Sequence, residues 1–192
     1  MHQIHHTEGI ILGSRNFGEA SKYYSILTKD LGMIYASASG VRKMSSKLRY
    51  ILQDFSYMKV DLVKGKDFWR VTSASKISGL ESLRKEPQTF EVLANIARLL
   101  RKLLAGEYPN ESLFRDVVEG LTILEKTKGE EEVRSIEAIM VLRILGNLGY
   151  IGGKKFDGLV KSPFEMELVL EAGKNRREIL NQINKALKQT HL

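Results

Sequence analysis

The hydrophobic period of this chain changes once, near residue 79, and that change sets what it can fold into. Before it, short runs rich in β-branched and aromatic residues occupy positions 7–13, 22–28, 33–39, 56–63 and 68–77, with glycine-containing turns between several of them. In the fourth run Met58, Val60 and Leu62 alternate with Tyr57, Lys59 and Asp61, the period of two of a strand with one buried face. Five strands this short leave two unpaired edges unless the sheet closes. The pattern therefore predicts a small antiparallel barrel.

After residue 79 the period becomes about 3.6. Phe90, Leu93, Ala97, Leu100 and Leu104 trace one face of a helix that Gly106 and Pro109 end. Asn110 or Ser112 can cap the next, whose stripe is Leu113, Phe114, Val117, Val118, Leu121 and Leu124. A third helix runs over about 130–148 and a last amphipathic one over about 176–189, with Ile179, Leu180, Ile183 and Leu187 on its apolar side. Residues 151–175 read as irregular or weakly extended. The expected fold class is α+β: a five-stranded barrel over 1–79, then an α-helical bundle domain over 80–192.

Charge follows the same division. The formal net charge is +7. Residues 1–79 hold twelve Lys/Arg and six Asp/Glu, against 18 and 17 in the remainder. A one-sided basic balance points to a polyanion partner without saying which. There is no cysteine, which excludes disulfides, thiol nucleophiles and Cys-ligated zinc or iron–sulfur sites, and suits a reducing compartment. No apolar run approaches the roughly 18 residues of a membrane span. Residues 1–8 are polar, without a signal-peptide core, so a soluble cytoplasmic protein is expected.

Catalytic patterns are missing. The sequence has no Gly-x-Gly-x-x-Gly and no P-loop. The six acids of the barrel segment are scattered, whereas a two-metal nuclease site needs them clustered. The chain reads as a non-enzyme that needs no cofactor. His2, His5 and His6 could ligate a metal, but a polar N-terminus leading into the first strand is the plainer account, and no metal is assigned.

The most informative stretch is 40–49, GVRKMSSKLR. Arg42, Lys43, Lys47 and Arg49 place four positive charges within it and no acid between them. A loop with exposed amides, hydroxyls and cations suits phosphate oxygens, although a solvated loop would look alike by composition. Aromatic residues interleave with the basic ones: Tyr23, Tyr24, Tyr35, Tyr57, Phe68 and Trp69 fall near Lys22, Lys59, Lys66 and Arg70. Barrels that hold single strands pair cations on the backbone with aromatic faces under the bases. Strand alternation sends Tyr23 and Tyr24, and Phe68 and Trp69, to opposite faces, so one or two of the six are expected to be free for stacking. In the helical half Arg98, Arg101 and Lys102 read as a solvated face. Arg143, between Leu142 and Ile144, pairs either with an internal carboxylate or with one from a partner.

These residues bear a resemblance. EGIIL at 8–12, FGEASK at 17–22, TKDLGMI at 28–34, GVRK-x-x-SKLR at 40–49 and LQDFS at 52–56 occur in the order and near the spacing of the N-terminal domain of the RecO family of bacterial DNA-repair proteins. PNESLFRDVVEGLTIL (109–124) and IEAIMVLRILGNLGY (136–150) are similar to that family's helical domain. The resemblance implies an OB-fold barrel and a recombination mediator. Such a protein binds single- and double-stranded DNA, anneals complementary strands without ATP, contacts the C-terminal tail of single-stranded-DNA-binding protein (SSB), and with RecR helps load RecA at gaps in the nucleoid. Arg42, Lys43, Lys47 and Arg49 fall on the family's basic motif and are carried over as DNA contacts. Arg15, Lys22, Lys66 and Arg70 are added as further DNA contacts, and Arg143 as a partner contact.

Two departures stand out. Many relatives carry a four-cysteine zinc module where this chain has the cysteine-free 149–174, so no zinc is expected, and the chain is short for the family. The rival readings are an RNA-binding OB module without a repair role, an enzyme, and a scaffold whose basic loop is only solvated.

Overall fold

A computed structural model describes residues 3–78, 80, 82–152 and 156–190. Two compact units emerge, one of residues 1–81 with 104–111, the other of 82–103 with 112–192.

The first unit is the expected barrel, and it is closed. Its strands are β1 (Ile4–Phe17), β2 (Ser21–Thr28), β3 (Gly32–Ala38), β4 (Tyr57–Lys64) and β5 (Trp69–Ser78). They are ordered β1-β2-β3-β5-β4, with β4 returning to β1. All pairings are antiparallel except a short parallel one between β3 and β5, where Ala36 faces Trp69. This is the OB-fold arrangement. Closure depends on β1, which runs beyond the expected 7–13. Its Ile4–Ile10 half pairs with β4 and its Gly9–Phe17 half with β2, and the register slips between Ile11 and Gly13. Such a bulge bends a strand enough to serve two neighbours.

Alternation fills the barrel. Tyr24 and Ile26 of β2, Ile34 and Ala36 of β3, Met58, Val60 and Leu62 of β4, and Trp69 and Val71 of β5 form one core with Ile11. A short helix, α1 (Leu48–Ile51), lies between β3 and β4. Val41 and Leu52, buried on either side of it, join the core, and Leu48 and Ile51 pack against it.

Residues 104–111 fold with the barrel, so Leu104, expected on the stripe of the first long helix, lies beyond the end of that helix at Leu103. Met33 N donates to Gly106 O at 3.2 Å. Glu107 accepts from Trp69 Nε1 at 3.0 Å and from Lys64 Nζ at 2.6 Å. Gly32 permits the approach: its φ is +73°, and a Cβ there would sit 2.4 Å from Tyr108 O.

The second unit is helical: α2 (Pro87–Leu103), α3 (Glu111–Lys126), α4 (Glu130–Asn147), α5 (Asp157–Lys161), α6 (Met166–Lys174) and α7 (Arg176–Gln189). In its middle is α4, which packs against α2, α5, α6 and α7. Its apolar residues surround it, and Val133, Ile136, Ile139, Met140, Leu142 and Leu145 are all buried, as expected of a helix enclosed by others. Glu130, Glu131 and Glu132 occupy its first turn, where acids suit the positive end of the helix.

Two expectations need correction. The region 151–175 is not extended: it holds α5 and α6. Helix α6 is nine residues long and buries only Leu168, Val169 and Ala172, too short a stripe to show a helical period. On α2 the buried stripe is Val92, Leu93, Ile96, Ala97 and Leu100, while Phe90 is exposed. No described helix is long and apolar enough to cross a membrane.

Candidate nucleic-acid interface

The basic residues of 40–49 sit on a loop with a defined shape. Gly40 turns the chain with φ +68°. Lys43 N donates to Gly40 O, Ser46 N to Lys43 O and Arg49 N to Ser46 O, at 3.0, 3.0 and 3.3 Å, which winds the loop into α1. The loop is also tied to the β1–β2 turn. Arg42 donates from its backbone N to Ala20 O at 2.9 Å and from its guanidinium to Gly18 O at 3.2 Å. Arg49 donates to Met44 Sδ and to Tyr50 Oη at 2.8 and 2.9 Å, and lies over the Tyr50 ring. Lys43 and Lys47 extend into solvent.

Of the remaining candidates, Lys22 shares the inward side of β2 with Tyr24 and Ile26 but is only half-buried. It lines one small cleft with Arg42 and Arg49. Arg15, Lys66 and Arg70 are exposed. Among the described residues, none of these eight side chains forms an ion pair with a carboxylate. That leaves their charge available to an anion.

The aromatic residues divide as alternation requires. Tyr24 and Trp69 are core, at 1% and 3% exposure, whereas Tyr35 and Phe68 are open to solvent at 49% and 42%. Tyr23 stands on the outer face between two rings. Its centroid lies 4.5 Å from that of Phe17 and 5.0 Å from that of Phe68. Arg15, its cross-strand partner, sits 5.3 Å over the same ring. Phe17, Tyr23 and Phe68, their rings tilted by 48° and 45° between neighbours, form with Arg15 an aromatic and cationic cluster on the outer face, the residue types that stack against bases. Tyr57 is spent internally. It donates to Glu8 at 2.6 Å, and burial, that hydrogen bond and the Glu8 charge raise its pKa.

Phe17, the first residue of FGEASK, is not among the six aromatic residues that the sequence pattern offers for stacking. An aromatic residue just before a hairpin glycine and two after an arginine was the available signal. Glu107 had none: its partners Lys64 and Trp69 are 43 and 38 residues away.

Arg143 is the internal arginine of the two alternatives. It is 2% exposed. It donates from NH1 to Asp116 Oδ1 and from Nε to Leu159 O, both at 3.0 Å, and from NH2 to Ser162 O at 2.5 Å. The Phe164 ring covers its remaining face at 4.7 Å. Arg98, Arg101 and Lys102 are exposed on α2.

No described group of three or more histidines and acids is placed to hold a metal. His6 Nδ1 lies 2.6 Å from Asp61 Oδ1, and His5 packs edge-on against Trp69. His2 lies outside the described residues.

Comparison with known proteins adds a lineage. Residues 1–80 match the family described as recombination protein O N terminal. The DNA repair protein RecO of Heliobacterium modesticaldum is 28% identical over 148 residues, 77% of this chain and 52% of its own length. That of Caldicellulosiruptor bescii is 30% identical over 140 residues, 73% and 57%. That of Dehalococcoides mccartyi is 31% identical over 140 residues, 73% and 55%. The chain thus spans between half and three-fifths of the length of these relatives.

Proposed function

We propose, for a chain that belongs to the RecO family, that it serves DNA repair and recombination as a mediator rather than an enzyme. The barrel binds single- and double-stranded DNA without sequence preference and anneals complementary strands. With RecR, the protein helps load RecA onto SSB-coated DNA, and the helical unit supplies the surface for the SSB tail and RecR.

One observation carries the reading. Arg42, Lys43, Lys47 and Arg49 stand free of carboxylates on a shaped loop, in the same unit as an outward aromatic cluster. Cations neutralise phosphates regardless of sequence, and aromatic faces accept any base. Annealing follows when two strands are held with their mutual repulsion screened. None of this requires a bond to be made or broken, and neither a cofactor nor a metal is assigned.

The test is the salt dependence of binding to a labelled single strand. With about four to six phosphates contacted, the log–log slope is about −3 to −4. A flat salt response would overturn the reading. Single-stranded RNA that competes as well as DNA would favour an RNA-binding role.

A further inference from the structure

We propose that the cleft of about 240 Å³ lined by Lys22, Tyr24, Arg42, Arg49 and Gln53 is a phosphate socket, with the Tyr24 hydroxyl donating to a phosphate oxygen at its inner wall. The inference rests in part on the reading above and adds to it a discrete site with an uncharged donor.

Tyr24 carries the argument. It belongs to the barrel core, yet its hydroxyl has no hydrogen-bond partner among the described residues. An unsatisfied buried hydroxyl is costly. A core position on β2 would be better served by phenylalanine unless the hydroxyl meets something. Tyr24 lines the cleft together with Gln53, and the Asp54 charge reaches its hydroxyl. Burial, and then Asp54, push its pKa to about 12, so at neutral pH it is protonated and can donate.

The charges around it select the ligand. Lys22 and Arg49 reach the cleft from β2 and from α1, and Arg42 from the loop before it. These are three cations against the single carboxylate of Asp54. Val41, Leu52 and Tyr24, at 2%, 1% and 1% exposure, close the wall on the core side. A compact oxyanion fits such a site, and a phosphate matches its mixture of fixed cations and a neutral donor. The phosphate belongs either to a diester within a strand or to a phosphorylated strand end.

Tyr24→Phe removes one oxygen and leaves the packing. We expect it to fold with an unchanged or higher melting temperature, and to bind a single-stranded oligonucleotide about tenfold more weakly. Inorganic phosphate, compared with chloride at equal ionic strength, is expected to raise the melting temperature of the wild type more than that of Tyr24→Phe. Oligonucleotides with and without a 5′-phosphate separate the two sources. Equal affinity assigns the socket to diesters, and a preference for the phosphorylated end that Tyr24→Phe loses assigns it to termini. A Tyr24→Phe protein that binds oligonucleotide and phosphate like the wild type overturns the socket, while salt-sensitive wild-type binding would leave the wider reading standing. If instead the wild type ignores DNA but shows a phosphate effect that Tyr24→Phe lacks, the socket stands and the mediator reading falls.

Discussion

Tyr23 and Tyr24 are neighbours in sequence and opposite in environment. The first packs outward between Phe17 and Phe68, 4.5 and 5.0 Å away, and the second is 1% exposed in the barrel core with its hydroxyl unpaired. One step along a strand turns a side chain to the other face. The pair therefore puts an aromatic surface outside the barrel and an unpaired hydroxyl within its wall.

The outer member should matter to binding more than to stability. Tyr23→Ala and Phe68→Ala are each expected to weaken single-strand affinity by about fivefold to a hundredfold, the range for losing one stacked base. Fluorescence anisotropy at fixed salt measures this. Because stacking is not ionic, the salt slope should stay that of the wild type. A lowered slope with no loss of affinity at low salt would show that the cluster does not stack bases.

Arg143 makes a stability prediction confined to the helical unit. Replacing it by methionine leaves the Asp116 carboxylate buried without its cation, which costs about 3–5 kcal/mol. Asn147 still donates to Asp116 at 2.7 Å, which places the loss toward the lower end. Urea unfolding followed by far-ultraviolet circular dichroism reads it. The double variant Arg143→Met/Asp116→Asn should recover part of the loss, because the two residues act as a pair. A single-variant loss below about 1 kcal/mol, the range of an exposed pair, would contradict the clamp.

Glu107 gives a pH dependence. The hydrogen bond from Lys64 holds its carboxyl below the usual value, with that from Trp69 Nε1 and the Lys64 charge adding to it against an opposing effect of burial. A carboxyl lowered on folding contributes stability that is present above its unfolded pKa, about 4.3, and lost as pH falls through the lower folded value. The stability difference between wild type and Glu107→Gln should thus exist at pH 7 and shrink below about pH 4. Urea melts followed by emission of Trp69, the single tryptophan, test this. A difference that persists undiminished at pH 3 would contradict it.

What was legible in the sequence follows physical range. Strands β2 to β5 lie within a residue or two of the expected runs, because alternation and glycine turns are local signals. Helix α7 spans the expected 176–189, since a fourteen-residue amphipathic stripe shows its period. Helix α6 escaped because its nine residues make only about two and a half turns. The bulge in β1, the folding of 104–111 against Gly32 and Trp69, and the choice of Asp116 as partner of Arg143 all depend on residues far apart in the chain. The cationic loop could be read from composition, but not its tie to Ala20 and Gly18 or the cleft that Arg42 and Arg49 share with Tyr24.

The central claim is that the barrel's basic loop holds nucleic-acid phosphates. The direct measurement is anisotropy of a labelled single strand titrated with wild type and with the Arg42/Lys43/Lys47/Arg49→Ala variant across a salt series. Each phosphate contact contributes about 0.7 to the log–log slope on single strands, so losing four should flatten it by up to about 3 and weaken binding most at low salt. A variant that keeps the wild-type slope and affinity would contradict the account and place the nucleic acid elsewhere on the protein.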